Sequence, residues 1–359
     1  MKLFSIFQMG PIELKNRLVM APMTRCRANN DNTPNDLMTT YYQQRCEAGL
    51  IITEGTSPSP NGLGYARIPG LFNQQQVDGW KKVTDAVHEK GGKIFMQLMH
   101  TGRVSHPDNM PEGSEIIAPS AIAMTGEMYT DKNGMQVYPV PKAMTITDIE
   151  KTQQEYIYAA ENAIEAGFDG VELHGANGYL IDQFINTASN IRVDAYGGSG
   201  KYRCRFAIEV ATKVAAAIGR DRTGIRLSPY GAFNDMEVFP ELEETYEYLA
   251  SELGKLRLAY IHIVDHSSMG APPVSDAVKS KIRDAFGGVI IASGGFDKEL
   301  AETALENGVG DLVAFGRPFL ANPDLVKRFQ EDIALNAPDF DTFYTPGEKG
   351  YTDYPTVEE

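Results

Sequence analysis

The segment Gly170–Leu180, GVELHGANGYL, decides the reading of this chain. Val171–Leu173 opens it as a buried strand. The chain then leaves the sheet through His174, Asn177 and Tyr179, with Gly175 and Gly178 between them. An imidazole, an amide and a phenol thus cluster just past the C-terminal end of a strand, which in an α/β barrel is where chemistry is done. The cluster offers two hydrogen-bond donors for an oxygen and one phenolic acid for a carbon. Those are the parts needed to polarise a carbonyl and then protonate its α-carbon.

Outward from that segment, short apolar runs alternate with longer helical patterns. The strand candidates are Arg17–Ala21, Leu50–Thr53, Ile94–Leu98, Gly170–Leu173, Thr223–Leu227, Tyr260–Val264, Val289–Ala292 and Leu312–Phe315. Most lack polar alternation, as expected when both faces of a parallel sheet are covered. Thr147-Asp148-Ile149-Glu150 reads as a capping box, and Asn322-Pro323 and Thr33-Pro34 read as N-caps with proline at the first helical position. This alternation predicts an α/β fold of the (β/α)8, TIM-barrel type. No GxGxxG follows any strand, which disfavours an open doubly wound sheet. Phe4–Leu14 predicts a small hairpin at the barrel bottom. From about His106 to Lys142 the chain is too long for a plain loop and has hairpin character at Asn133-Gly134. It is expected to be an insertion partly covering the barrel mouth. Residues 1–359 are read as a single domain with an irregular tail after Asn336.

A length of 359 residues suits one such barrel with loop insertions, and 42% hydrophobic residues can fill its core. The net charge of −15 argues against nucleic acid or an anionic membrane surface as partner. Cys26, Cys46 and Cys204 are odd in number without CxxC spacing, so no disulfide framework is expected and a reducing, cytoplasmic compartment fits. The N-terminal MKLFSIFQMGPIEL lacks the apolar length of a signal peptide, and no apolar run approaches the ~18 residues of a membrane span. The histidines show neither HExxH nor paired ligand spacing, so no metal is expected.

Two loops suggest a phosphate site. SGGF, Ser293–Phe296, follows the seventh strand, and FGR, Phe315–Arg317, follows the eighth. Loops after strands seven and eight are the recurrent phosphate site of this barrel. Glycine lets backbone N–H groups approach the anion, and arginine adds charge and paired hydrogen bonds. Each loop alone also reads as an ordinary tight turn; two at matching strand ends point to phosphate.

The motifs NRLVMAPMTR, QLMHTGR, HGANGYLIDQF, YGGS, GIRLSPYG, SGGF, AFGRPFLANPDL and GYTDYP run from Asn16 to Pro355. Together they resemble the old yellow enzyme family of FMN-dependent ene-reductases. The likeness is to the variant with His-x-x-Asn followed by Gly-Tyr-Leu. The resemblance implies noncovalently bound FMN, its phosphate held by Gly294, Gly295, Gly316 and Arg317. It lays Pro22 and Met23 beside the isoalloxazine and Thr24 near O4. Gly55 leaves room beside the ring, Gln97 meets the N3–H/O2 edge and Arg226 meets N1/O2. His174 and Asn177 would bind the oxygen of an enone, maleimide, quinone or nitro group. Hydride would then reach the β-carbon from the flavin, and Tyr179, a phenol of ordinary pKa about 10, would protonate the α-carbon. Tyr65, Phe233 and Tyr351 are the implied substrate-pocket aromatics. The reductant would be NADPH or NADH, leaving before the alkene enters, in a ping-pong cycle. The chain departs from the family at Met99, where many relatives carry tryptophan and a flexible thioether is expected to loosen the pocket. It departs also at Gly200-Lys201-Tyr202, which replaces Ile-Glu-Asn and puts the local loop-to-helix packing in question. A cytoplasmic monomer or homodimer is expected. Two alternatives stay open. One is a flavin-binding redox sensor with little turnover. The other is a flavin-free phosphosugar isomerase or aldolase barrel, which needs a strand-end Lys or Glu that does not stand out.

Overall fold

Strands apolar on both faces have one stable place, between two neighbours and under a layer of helices. Eight strands take it: β1 (Leu18–Met20), β2 (Leu50–Ile52), β3 (Ile94–Leu98), β4 (Gly170–Gly175), β5 (Thr223–Leu227), β6 (Tyr260–Val264), β7 (Ile290–Ser293) and β8 (Leu312–Phe315). They close into a barrel in the order β4-β5-β6-β7-β8-β1-β2-β3, with β3 paired parallel to β4 and β8 parallel to β1. The structure, a computed structural model, describes residues 1–357. A helix follows each strand: α1 (Asp36–Gln43), α2 (Gln74–Glu89), α3 (Ile146–Glu165), α4 (Arg205–Ile218), α5 (Leu242–Leu256), α6 (Asp276–Phe286), α7 (Lys298–Glu306) and α8 (Leu325–Gln330). The predicted (β/α)8 barrel is thus the observed fold.

Alternate residues of a strand face opposite sides. Outward-facing Ile51, Met96, Val171, Leu173 and Ile261 join Trp80, Tyr156 and Leu249 of the helices in one large core. Inward-facing Leu50, Ile52, Phe95, Tyr260, Ile291 and Leu312 form a second core with Met9 and Leu14. Those last two belong to the expected N-terminal hairpin, Phe7–Met9 paired antiparallel with Ile12–Leu14. Each fully buried Leu, Ile or Phe contributes roughly 1.5–3 kcal/mol over its exposed state, so both cores anchor the strands. Further along the same strands the inward positions turn polar: Gln97 and Glu172 are register partners, as are His174 and Arg226, and Arg226 and His262.

The strand boundaries differ slightly from expectation. β4 runs on to Gly175 because His174 and Gly175 keep pairing with Arg226 and Leu227, and β7 starts at Ile290 rather than Val289. Three helix caps also move. The capping box of α3 is Thr145 with Asp148, not Thr147 with Glu150. Thr145 Oγ1 accepts the Asp148 N–H at 3.1 Å, and Asp148 Oδ2 accepts the Thr145 N–H at 2.9 Å. The α1 cap is Asn35, whose side chain accepts the Met38 N–H at 3.2 Å. Asn322 caps no helix, because its amide is used to tie Pro318 and Asn336 together. The segment 106–142 contains the expected hairpin, Glu127–Thr130 against Gly134–Val137. Gly200–Arg203 forms a short helix, and its glycine is required there. A Cβ on Gly200 would lie 2.3 Å from Thr245 Oγ1 on α5. Among the described residues no helix is long and apolar enough to cross a membrane, and Cys26, Cys46 and Cys204 are free and buried.

The α3 cap supplies a test of this local reading. Thr145→Ala removes the side-chain acceptor and should cost about 1 kcal/mol of stability, read as a lower denaturant midpoint with an unchanged slope. Thr147→Ala should leave the midpoint in place.

Candidate active site

A cavity of about 980 Å³ opens where the C-terminal strand ends converge. Its cationic end lies after β7 and β8. Gly294 and Gly295 take φ of 145° and 70° there, a region that side chains rarely enter. A Cβ on Gly294 would sit 2.4 Å from the Asp265 carbonyl oxygen, and one on Gly295 2.8 Å from Ser268 Cβ. Only bare backbone therefore fits this turn. A Cβ on Gly316 would meet Met23 Sδ at 3.7 Å, an ordinary contact. Arg317 stands beside it, exposed, its guanidinium 5.5 Å from the Phe340 ring centroid. The C-terminal tail contributes Phe340, Phe343 and Tyr344 to the wall. Buried arginines fasten that tail through its carbonyls. Arg25 donates to Phe343 O at 3.1 Å and Gly350 O at 2.7 Å, and Arg27 to Thr342 O at 2.8 Å.

The polar inner layer of the barrel forms the cavity floor. Gln97 Nε2 donates to Glu172 Oε1 at 2.8 Å, which leaves Gln97 Oε1 to accept from an incoming N–H. Glu172 Oε2 pairs with His262 Nδ1 at 2.9 Å, both residues fully buried. Arg226 is buried beside them and its Nε has no hydrogen-bond partner. Burial lowers the Arg226 pKa from its ordinary value while Glu172 opposes that shift. A buried cationic donor left unpaired is costly, so Arg226 calls for an acceptor from outside the protein. An electron-rich carbonyl edge of a flat heterocycle meets that need, and the glycine turns with Arg317 suit its phosphate tail. The donor set thus fits FMN, with Pro22, Met23 and Thr24 along the adjoining wall.

The other end of the cavity carries His174, Asn177 and Tyr179. The Ala176 N–H donates to His174 Nδ1 at 3.3 Å. That contact assigns the ring proton to Nε2, which is then free to donate. Burial, reinforced by the nearby Arg226, His262 and His266, holds His174 well below the ordinary histidine pKa. Asn177 and Gly178 adopt φ of 60° and 75°, and the turn is pinned on several sides. Asn177 N donates to Ser228 Oγ at 2.9 Å, Gly178 N to Asp182 Oδ2 at 2.8 Å, and Asn234 Nδ2 to Asn177 O at 2.7 Å. Burial pushes the Asp182 carboxyl up to about 6, against the pull of Gly178, Tyr246 and Ser228 donating to it.

Asn177 Oδ1 lies 2.6 Å from His266 Nε2. Burial holds His266 down to about 4, so the ring is neutral and its Nε2–H is the donor. The Asn177 amide nitrogen is thereby left for a ligand. Tyr179 follows the turn, its ring edge-on to His174 with centroids 4.8 Å apart. Its hydroxyl is 3.0 Å from that of Tyr65, and burial pushes its pKa up to about 12.

The structure brings to this one cavity Pro22, Met23, Thr24, Tyr65, Gln97, His174, Asn177, Tyr179, Arg226, Phe233, Gly294, Gly295, Gly316 and Arg317. Two expected residues lie outside its lining. A Cβ on Gly55 would fall 2.4 Å from Met99 Sδ, so this glycine makes room for Met99. Tyr351 is fully buried and stacked on Tyr41, centroids 4.1 Å apart and planes 9° apart, with the Arg25 and Arg27 guanidinium groups at 5.2 and 4.7 Å. Stacking and cation–π attraction hold this ring inside the protein, and Phe343 and Tyr344 line the cavity in its place. Met99 lies outside the lining as well. It is buried with Cys26, Leu63 and Ile68 in a small core behind the wall. Sequence reasoning missed His266, whose one signal was its place just past the end of β6. It also missed Met128 and Tyr138 of the insertion, which line the cavity and carried no signal of their own.

The assigned tautomer can be observed. His174 should remain neutral and protonated on Nε2 from about pH 8 to about pH 5 in 15N-resolved NMR; a titration near the ordinary 6.5 would contradict the assignment. The same neutrality sets a sign. Burial holds His266 down to about 4 in the folded protein, against about 6.5 in the unfolded chain. In that interval the unfolded chain binds more protons, so stability should fall as pH falls through it.

The model of the NADH:flavin oxidoreductase / NADH oxidase family matches residues 2–336. The chain is 46% identical over 350 residues to a "Probable flavin mononucleotide-dependent alkene reductase" of Leishmania infantum, covering 96% of this chain and 95% of that one. It is 43% identical to 12-oxophytodienoate reductase 1 of Oryza sativa subsp. japonica, over 99% of this chain and 93% of the relative. Among solved structures, morphinone reductase superposes with a TM-score of 0.95 at 42% identity, covering 99% of this chain and 96% of that one. The same enzyme in complex with tetrahydroNAD gives 0.94 at 42% identity over 99% and 98%. The old yellow enzyme homologue from Zymomonas mobilis gives 0.93 at 40% identity over 99% of both chains. Barrel, cavity and relatives agree, and the chain belongs to the NADH:flavin oxidoreductase / NADH oxidase family, the old yellow enzyme family.

Proposed function

We propose that this protein is an FMN-dependent reductase of activated alkenes, reduced by NADPH or NADH and acting by a ping-pong cycle. The observation that carries the reading is one of proton placement. His174 Nε2–H and the Asn177 amide are both freed toward the cavity, by Ala176 and by His266, while Tyr179 beside them stays protonated. The names of the relatives support it: an alkene reductase and a morphinone reductase solved with tetrahydroNAD.

When bound, FMN supplies a carrier that accepts hydride from a nicotinamide and yields it to carbon. The residues of this chain do the rest. Gly294, Gly295, Gly316 and Arg317 would hold its phosphate. Gln97 would accept from the polar edge of its ring, Arg226 and Thr24 would donate to that ring's oxygens, and Pro22 and Met23 would lie beside it. At the far end His174 and Asn177 donate two neutral hydrogen bonds to the oxygen of an enone, maleimide, quinone or nitro group. As negative charge grows on that oxygen, both bonds strengthen, which is how preorganised donors lower a barrier. Tyr179 then gives its proton to the α-carbon. Tyr65 and Phe233, with Met128 and Tyr138 of the insertion, enclose the substrate and exclude water. The chain acts as one domain, its 106–142 insertion forming part of the pocket wall.

The purified protein should show flavin absorption that bleaches on anaerobic addition of NADPH or NADH and returns on addition of an enone. A colourless protein that takes up no added FMN would end this reading. Tyr179→Phe separates its parts. Bleaching by the nicotinamide should stay near wild type, since it needs no protein proton. Return of colour with cyclohexenone should slow by about 10²–10⁴-fold, the range of general acid catalysis. Nitroalkenes, whose nitronate is stable without immediate protonation, should still accept hydride. Stopped-flow on both half-reactions checks this, and equal losses in both would deny Tyr179 the acid's role.

A further inference from the structure

Tyr65 sits on the loop after β2, 114 positions from Tyr179 in the chain, yet the two phenol oxygens are 3.0 Å apart. The rings meet edge to face, centroids 6.2 Å apart and planes at 87°. Tyr65 has little freedom to leave. Its ring packs both against the core of Cys26, Leu63, Ile68 and Met99 and against that of Val104, Met124 and Met128. Among the described residues the Tyr65 hydroxyl has one hydrogen-bond partner, Tyr179.

One hydrogen lies between the two oxygens, and geometry leaves either as the donor. The chemistry decides. If Tyr179 is to deliver its proton to a substrate carbon, that proton must point into the cavity, and the Tyr179 oxygen is then free to accept. Tyr65 is the group in place to fill that acceptor site. Burial disfavours a phenolate at either residue, and the contact between them eases Tyr179 downward while raising Tyr65.

We propose that Tyr65 is a positioning residue for the acid: its O–H donates to the Tyr179 oxygen and stabilises the phenolate left when Tyr179 gives its proton away. The inference rests on the reading of Tyr179 as the acid. In the step, hydride adds to the β-carbon and the alkene π bond breaks. The released electron pair takes the Tyr179 proton at the α-carbon, and the O–H bond pair stays on the Tyr179 oxygen. The Tyr65 hydrogen bond is at its strongest at that moment, because its acceptor has become an anion. Water restores the Tyr179 proton before the next turnover. Tyr65 thus assists protonation without donating to the substrate itself.

Tyr65→Phe removes one oxygen. Measured on the FMN-loaded enzyme, it should slow enone reduction by about 10- to 100-fold, the scale of a hydrogen bond to a charged group, and raise the solvent isotope effect on that step. Hydride transfer to a nitroalkene should change little. In the double variant Tyr65→Phe/Tyr179→Phe the enone rate should match that of Tyr179→Phe alone, because the acceptor of the Tyr65 bond is no longer there. Equal slowing with enone and nitroalkene would mean that Tyr65 only shapes the pocket. So would losses that multiply in the double variant, and either result overturns the proposal. An unchanged enone rate in Tyr65→Phe beside a slow Tyr179→Phe overturns it while leaving Tyr179 as the acid. A fast Tyr179→Phe brings down the underlying reading first. As a variant that keeps the ring and hydroxyl, 3-fluorotyrosine at position 65 is a better donor. It should raise the enone rate, and a lowered rate counts against the proposal.

Discussion

Closing eight short strands into a barrel forces every second residue inward, and the rest of the molecule is arranged around that constraint. Low in the barrel the inward positions are apolar and pack on the N-terminal hairpin. One step further along the same strands they are Gln97, Glu172, His174, Arg226 and His262. Such groups survive burial only by pairing. Gln97, Glu172 and His262 pair in a row, with the far ring nitrogen of His262, Nε2, left over. Arg226 keeps an unpaired nitrogen at the edge of that layer, so the cavity begins where the barrel runs out of its own partners.

Charge is not spread evenly over the cavity. Arg317 makes the part after β7 and β8 cationic, and Arg226 lies on the floor, in register with His174. The donors that His174 and Asn177 turn to the cavity are neutral. His174 and His266 are held uncharged by burial and by the nearby arginine, and Tyr179 keeps its proton. Neutral donors can stabilise a developing oxyanion without first having to be protonated from solvent. Their aim depends on a left-handed turn at Asn177–Gly178. A Cβ on Gly178 would lie 2.7 Å from Asn234 Cβ and 2.8 Å from the Phe233 carbonyl oxygen. Close approach there brings the loop after β5 against the loop after β4, and Ser228 and Asn234 tie the two together.

Walls come from distant parts of the chain. The insertion brings Met128 and Tyr138, and the tail brings Phe343 and Tyr344. Arg25 and Arg27 fasten the tail within three residues of Thr24 by donating to main-chain carbonyls. A strap held by carbonyls depends on backbone path rather than on side-chain identity. That is why the aromatic residue facing the cavity is not the one whose motif seemed to require it.

The barrel was legible in the chain alone, because continuous apolar runs separated by helical patterns admit few other folds. So were the glycine turns after β7 and β8 and the trio His174, Asn177 and Tyr179, because local spacing past a strand end decides where these side chains emerge. Other features needed the tertiary structure. That Tyr351 turns into the protein depends on Tyr41, hundreds of positions away, and on two arginines. That Gly55 serves Met99 depends on the packing between neighbouring strand ends. The orientation of the Asn177 amide is set by His266, 89 positions on, and the partner of Tyr179 by a loop 114 positions back. Each is a contact between segments that share no local pattern. Periodicity and spacing describe how one segment presents its side chains; which segment meets them is decided only when the barrel closes.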